Sequence, residues 1–364
     1  MAIGLALSGG GSRAMAFHLG CLRALHDRGV LEDISILSTI SGGSVIGGLY
    51  AYRPDLSFEE FDKFTQEVLN AGFARAIVSR LIHPRLLFPC LASSISGRLA
   101  NLVKRSSTPI VRAVSRTDAF EWALRDIMFN DVDLNSPTRG GLEIVIGACE
   151  LSTGTAFRFG NRVSGGSWWG EVEDNRIPLS LAVAASAAYP LFLPALDKEF
   201  RLVDRSGEAQ NRRLILTDGG VYDNMGIACL SPRRTSSIST HANSLDYIIA
   251  CNASVGKKSN NPVSWGVVSR VHRTFNVIHR RVQDSTMGEL HQWKEAGQIK
   301  GFILPYLGQN DRALPYQPQH FVKKSEVEDY ATDFNPMSNE WIGKLSLRGE
   351  QLTRILLQHY LPDL

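Results

Sequence analysis

The chain has 364 residues, 44% of them apolar, with a formal net charge of +3. This length and apolar content allow a large core and, on size alone, two domains. The near-balanced charge by itself singles out no partner class, and no nucleic-acid partner is expected. No apolar stretch approaches the ~20 residues of a spanning helix, so any membrane contact is expected to be peripheral. The five cysteines, Cys21, Cys90, Cys149, Cys229 and Cys251, are scattered, with no CxxC and no metal spacing. They read as buried free thiols in a reducing compartment.

In chain order, Ile3 to Leu7 reads as a buried strand. It lacks the basic flank and the length of a signal peptide. The turn Gly9-Gly10-Gly11-Ser12-Arg13 follows, then a helix from about Ala14 to Arg28, with Phe17, Cys21, Leu22 and Leu25 on one face and Gly29 as its C-cap. Ile34 to Ser38 reads as a second strand, Thr39-Ile40-Ser41-Gly42-Gly43-Ser44 as a second turn, and Gly42 to Tyr52 as a helix closed by Pro54. This alternation predicts a parallel sheet with right-handed crossovers. Further strands are expected at Leu142–Cys149, with Ala156–Phe159 as an antiparallel neighbour, and at Leu214–Thr217, Tyr247–Cys251 and Phe302–Leu304. Helices are expected at Leu181–Ala188 and Leu345–Tyr360. Asp204–Arg213 and Arg233–Ser244 read as surface loops, and no internal repeat is evident.

Between Glu67 and Asp118 there is no acidic residue. Arg75, Arg80, Arg85, Arg98, Lys104, Arg105, Arg112 and Arg116 alternate there with Ile77, Leu81, Ile82, Leu86, Leu87, Phe88, Leu91 and Ile95. A surface lying on anionic lipid and a regulatory lid or partner-docking site both fit this stretch. A second basic stretch, Arg270 to Arg281, carries Val268, Val271, Phe275, Ile278 and Val282 at helical spacing. It reads as an ordinary amphipathic helix with a solvated basic face.

The two glycine turns carry the chemistry. Ester cleavage needs a nucleophile, a base for its proton, and donors for the developing oxyanion. A serine on a sharp strand-to-helix turn stands clear of the sheet, and small neighbours let the turn form. Ser41 meets this need, with Gly43 two residues on and Thr39 in place of glycine two before. Ser44 is its rival. The N–H groups at the helix start favour the negative charge. The Gly9-Gly10-Gly11 run lets backbone N–H groups turn outward towards a substrate. A phosphate loop fits less well: no Lys-Ser pair follows, Ala14 stands where a dinucleotide fingerprint wants glycine, and Asp33 precedes a strand. Asp218 ends a strand before Gly219 and Gly220, where it can face the rim that Ser41 faces. By itself it also fits a simple Asp-Gly turn.

Together these residues resemble the patatin-like phospholipase family. The matching blocks are Gly9 to Arg13, Ile40 to Ser44, Ala184 to Pro190 with Leu193-Pro194, and Asp218 to Asn224, in the family's order. The resemblance implies a three-layer α/β sandwich with a mostly parallel central sheet and helices on both faces. It implies one domain over residues 1–364, with core motifs in 3–226, a basic insertion at about 68–117, and an extension at 227–364 packed on the same sheet. It implies a dyad of Ser41 as nucleophile and Asp218 as base. His241, His272, His279, His291, His320 and His359 all follow Asp218, but the family uses no histidine relay. The implied oxyanion hole is the backbone of Gly9, Gly10, Gly11 and Ser12, chiefly the middle two. Arg13, Gly43, Gly219 and Gly220 would position the loops, Arg13 alternatively meeting a phosphate.

The expected activity is lipid acyl hydrolysis without metal or cofactor, on phospholipid or lysophospholipid. The expected setting is cytoplasmic and peripherally membrane-associated, with a protein activator conceivable. The alternatives are a neutral-lipid or small-ester esterase of the same fold and a non-catalytic lipid-binding protein.

Overall fold

The computed structural model describes residues 1–82, 115–190, 192–236, 239–256 and 266–364. Most of the basic stretch, from Arg85 to Arg112, and Cys90 with it, lies outside the described residues. The strands are β1 (Ile3–Leu7), β2 (Ile34–Ile40), β3 (Glu143–Glu150), β4 (Thr155–Gly160), β5 (Gly165–Gly166), β6 (Gly170–Val172), β7 (Leu196–Val203), β8 (Ala209–Asp218), β9 (Tyr247–Cys251) and β10 (Gly301–Ile303). The helices used below are α1 (Gly11–Asp27), α2 (Gly42–Tyr52), α3 (Phe58–Ala71), α4 (Ala74–Ile82), α5 (Arg116–Leu124), α6 (Leu179–Ser186), α7 (Gly220–Asp223), α8 (Val267–Glu295) and α9 (Asn339–Tyr360).

The strand order is β10-β9-β1-β2-β3-β4-β5-β6-β7-β8, with β8 also pairing back to β3. Pairings β10–β9, β9–β1, β1–β2 and β2–β3 are parallel. Pairings β3–β4, β4–β5, β5–β6, β6–β7, β7–β8 and β3–β8 are antiparallel. The expected mostly parallel central sheet is therefore corrected: β3 to β8 form a closed antiparallel barrel, and the other strands extend from its β3 side. Closure leaves the barrel without free edges. The sequence reading missed it for a local reason. β5 and β6 are very short and contain glycine, and β7 with the start of β8 is polar and half-exposed. The stretch Asp204–Arg213, expected as a surface loop, is a hairpin turn and the first half of β8.

The parallel strands are apolar runs because both sides are covered. Ile3, Leu5 and Leu7 of β1 share one core with α1 and α2, including Phe17, Leu22 and Leu49. Ala6 and Ile36 share a second with Ile248, Leu290 and Trp293. α1 lies along α9, where Gly20 and Gly349 permit a close approach: a Cβ on Gly20 would sit 1.7 Å from the Ser346 carbonyl oxygen. Gly29, at φ 76°, closes the turn after α1 as expected. The start of the acid-free segment is ordinary core, with Val68, Leu69 and Phe73 buried. Arg80 on α4 bonds Asp126 at 2.7 Å.

Candidate active site

β3 brings the two ends of the site together. β2 runs parallel to β3 and ends where Ile40 pairs with Gly147. β8 runs antiparallel to β3 and ends where Asp218 pairs with Ala148. Two strands thus point at each other along one edge of β3, and their next side chains, Ser41 and Asp218, meet. Gly219 is needed there, because a Cβ on it would lie 2.2 Å from the Gly147 carbonyl oxygen.

Ser41 has φ 54° and ψ −120°, a conformation that non-glycine residues rarely adopt. The surroundings hold it there. Its N–H donates to Ser186 Oγ at 2.9 Å, and its carbonyl accepts from Ser44 N–H at 2.8 Å. Gly42 and Gly43 allow α2 to start this close to the first turn: a Cβ on Gly42 would lie 2.2 Å from Gly11 O, and one on Gly43 2.3 Å from Leu7 O. Thr39 fits despite its bulk because α2 has Gly47 opposite, where a Cβ would come within 2.5 Å of Thr39 Cγ2. The rival Ser44 is buried, its hydroxyl paired with Ser186 Oγ at 2.8 Å.

The Asp218 carboxylate lies beside the Ser41 hydroxyl, whose hydrogen-bonding influence favours the ionised form. It accepts a hydrogen bond from Gly220 N–H at 2.7 Å. Burial pushes its pKa up to about 7, and these two influences offset only part of that rise. A carboxyl so placed is poised to exchange a proton near neutral pH.

The first glycine turn closes over this pair. Gly9 N–H donates to the Asn224 carbonyl at 3.0 Å, and Ser12 N–H to the Asp333 carbonyl at 2.7 Å. Gly10 and Gly11 lie at φ 145° and 60°. Among the described residues neither of their N–H groups has a partner. Of the four residues expected to offer donors, Gly9 and Ser12 thus have their N–H groups already engaged. Gly9 touches Ser41: a Cβ there would be 3.2 Å from Ser41 Cβ and 2.4 Å from Asn224 Oδ1. Arg13 is buried, bonding the Ala253 and Tyr330 carbonyls at 3.1 Å each. Desolvation brings its pKa down to about 10, against the opposing pull of Asp333 and Tyr306. It ties the turn to the C-terminal part of the chain.

Sequence reasoning missed Ser186. Its hydroxyl receives Ser41 N–H, bonds Ser44 and donates to Gly147 O at 2.6 Å, while its carbonyl accepts Gly219 N–H at 3.1 Å. Next to it, the Ala188 carbonyl accepts Asp218 N–H at 3.1 Å and the Thr217 hydroxyl at 2.9 Å. The Ala184–Pro190 block therefore clamps both strand ends. Asn224 and Asp223 were also unassigned; Asp223 accepts from the N–H groups of Met225, Gly226 and Ala228 and so shapes the turn after Asp218.

Of the later histidines, His279 reaches this region, donating to the Gly220 backbone. His241 is buried near Glu143, at the opposite end of β3. Among the described residues one group could hold a metal: buried His18, Cys21 and Cys251, whose ligand atoms lie within 4.8 Å of one another. His18 Nε2 bonds the Ser8 carbonyl at 2.9 Å, beneath the glycine turn. No spacing along the chain marks this group, because β9 brings Cys251 in from the far half of the chain. Cys21, Cys149, Cys229 and Cys251 are free and buried. No helix among the described residues is long and apolar enough to cross a membrane.

Comparison with known proteins bears on this arrangement. Human GIVD cytosolic phospholipase A2 superimposes with a TM-score of 0.55 over 97% of this chain and 58% of that one, at 15% identity. The same protein with bound methyl gamma-linolenyl fluorophosphonate gives 0.53 at 13% identity. These establish a shared fold. A patatin-like phospholipase domain-containing protein of Caenorhabditis elegans is 56% identical over 54 residues, 15% of this chain and 4% of that protein. Lysophospholipase NTE1 of Mycosarcoma maydis is 48% identical over 56 residues, 15% of this chain and 3% of that protein. The chain thus spans only a small part of these relatives. The family model for patatin-like phospholipases matches residues 5–229, a stretch that contains both glycine turns, the clamp at Ser186 and the Asp218 turn. The chain belongs to the patatin-like phospholipase family.

Proposed function

We propose that this protein is a serine lipid acyl hydrolase acting on phospholipid or lysophospholipid. The observation that carries the reading is the end-to-end meeting of β2 and β8, which sets the Ser41 hydroxyl against a buried Asp218 carboxylate whose pKa is about 7. In this reading Asp218 takes the Ser41 proton as the oxygen attacks the ester carbonyl. The carbonyl oxygen becomes negative and is met by Gly10 and Gly11 N–H at the start of α1, where the helix dipole adds to their effect. Collapse expels the alcohol, which receives the proton from Asp218. The acyl group remains on Ser41. Water then attacks that ester, again deprotonated by Asp218, and collapse releases the fatty acid as Asp218 returns the proton to the Ser41 oxygen.

Arg13 positions the loop in this scheme; its bonds to the Ala253 and Tyr330 carbonyls favour that role over contact with a phosphate. The C. elegans and NTE1 relatives favour a phospholipid or lysophospholipid over a neutral lipid. Site work at the membrane surface is part of the proposal, as peripheral contact is.

The test is fatty-acid release from mixed-lipid vesicles and from soluble esters, together with labelling by a fluorophosphonate probe. Ser41→Ala should abolish release and labelling, while Ser44→Ala should keep both. Labelling that survives in Ser41→Ala and disappears in Ser44→Ala overturns the choice of nucleophile. A wild-type protein that neither labels nor hydrolyses any of these esters favours the non-catalytic lipid-binding alternative.

A further inference from the structure

Helix α8 carries an exposed apolar stripe along its first half. In its second half the arrangement is ordinary: Leu290 and Trp293 are buried, and Glu289, Lys294 and Glu295 are exposed. In its first half Val267, Val271, Val277, Ile278 and Val282 are 78%, 61%, 57%, 59% and 39% exposed, while the side chains of Val268, His272 and Phe275 lie outside the described residues. This corrects the expectation of a solvated basic face with Val271, Ile278 and Val282 turned inward. Val267, Val271, Ile278 and Val282 are spaced four, seven and four residues apart. On a helix that spacing puts them within about 60° of one another, so they form one continuous outward stripe. Water does not favour such a stripe, and exposed apolar runs of this kind mark an interaction surface.

Charge selects the occupant. No Asp or Glu occurs from Val267 to Gln283, whereas Arg270, Arg273, Arg280 and Arg281 do. Arg280 turns inward to the Gly256 carbonyl. The acid-free segment between Glu67 and Asp118 is itself basic, so it does not complement this half-helix, and neither does a second copy of the same face. An anionic phospholipid surface supplies both an apolar interior for the stripe and negative headgroups for the arginines. Position fits as well. His279, on the inner side of the same half-helix, donates to the Gly220 backbone two residues after Asp218.

We propose that the first half of α8, Val267 to Val282, is the element that seats this protein on an anionic phospholipid bilayer beside its Asp218 turn. Val267, Val271, Ile278 and Val282 enter the headgroup–acyl boundary, and Arg270 and Arg281, which flank the stripe, meet the headgroups. The inference rests on the lipid-hydrolase reading only for what the docking serves. Binding is therefore measured in the Ser41→Ala background, where it is independent of hydrolysis. The probes are phosphatidylcholine vesicles with and without phosphatidylserine, read by sedimentation.

Val271→Gln with Ile278→Gln should lower partition to anionic vesicles by about tenfold or more, as expected for losing two apolar insertions. In the active background the same pair should leave hydrolysis of a soluble short-chain ester unchanged. Arg270→Gln with Arg281→Gln should remove most of the preference for phosphatidylserine. The proposal is wrong if the Gln pair binds vesicles as the parent does. It is equally wrong if the parent ignores anionic vesicles, or if the Gln pair breaks a dimer while vesicle binding persists.

Discussion

Replacing Asp218 with asparagine should inactivate the protein and stabilise it at the same time. The carboxyl is buried, and its pKa rises from 3.8 to about 7 on folding. A raised acid pKa means that the folded state holds a proton the unfolded chain has already released. Stability is therefore complete below the unfolded value and is lost as pH rises towards the folded one. Over that interval the loss is roughly 4 kcal/mol, at about 1.4 kcal/mol per pH unit. Asparagine has nearly the same shape, can still accept from Gly220 N–H, and carries no charge to desolvate. The variant should match the wild type near pH 4 and exceed it by a few kcal/mol at pH 8. For a chain of this size that is about 5 °C in melting temperature. Ester hydrolysis should fall by a factor on the order of a hundred or more, since the base is gone. Melts across pH 4 to 8.5 and fatty-acid release measure both effects. A variant no more stable than wild type at pH 8, or a stability gap that does not narrow towards pH 4, would refute the picture of a desolvated carboxylate held beside Ser41.

The remaining expectations probe the same neighbourhood. In the wild type, kcat/KM should rise with pH through an apparent pKa near 7, because Asp218 must be ionised to take the proton; a flat profile from pH 5 to 9 contradicts this. Ser186→Ala removes the acceptor for Ser41 N–H and the donor to Gly147 O, so it should lower kcat at least tenfold and cost about 1–3 kcal/mol of stability. Gly9→Ala drives a methyl into Asn224 Oδ1 and against Ser41 Cβ, and should depress fluorophosphonate labelling far more than stability. Gly47→Ala places its Cβ 2.5 Å from Thr39 Cγ2 and should destabilise by about 1–3 kcal/mol; adding Thr39→Ser should recover most of that loss in a denaturant titration.

The local pieces of the site were legible in the sequence because they depend on nearest neighbours. β1, α2 and β9 fall where apolar runs and glycine turns put them, and Ser41, Gly10 and Gly11 announce themselves by the backbone freedom their turns need. The exposed face of α8 was misread because periodicity tells which residues share a face but not which way that face points. Ser186 was quoted within a motif without a role, since its function is to hold two strand ends that are remote in the chain.

The sequence by itself determined that a serine between a strand and a helix, a glycine-rich turn and an acid before two glycines exist, and that they occur in the order of one family. Only the tertiary structure decided how they meet. β3 lends one edge first to β2 and then to β8, and the closed antiparallel barrel that this requires is set by hydrogen-bond pairing between distant strands. Burial, and with it the proton affinity of Asp218, is likewise decided by what the whole chain packs around the carboxyl and not by its neighbours in sequence.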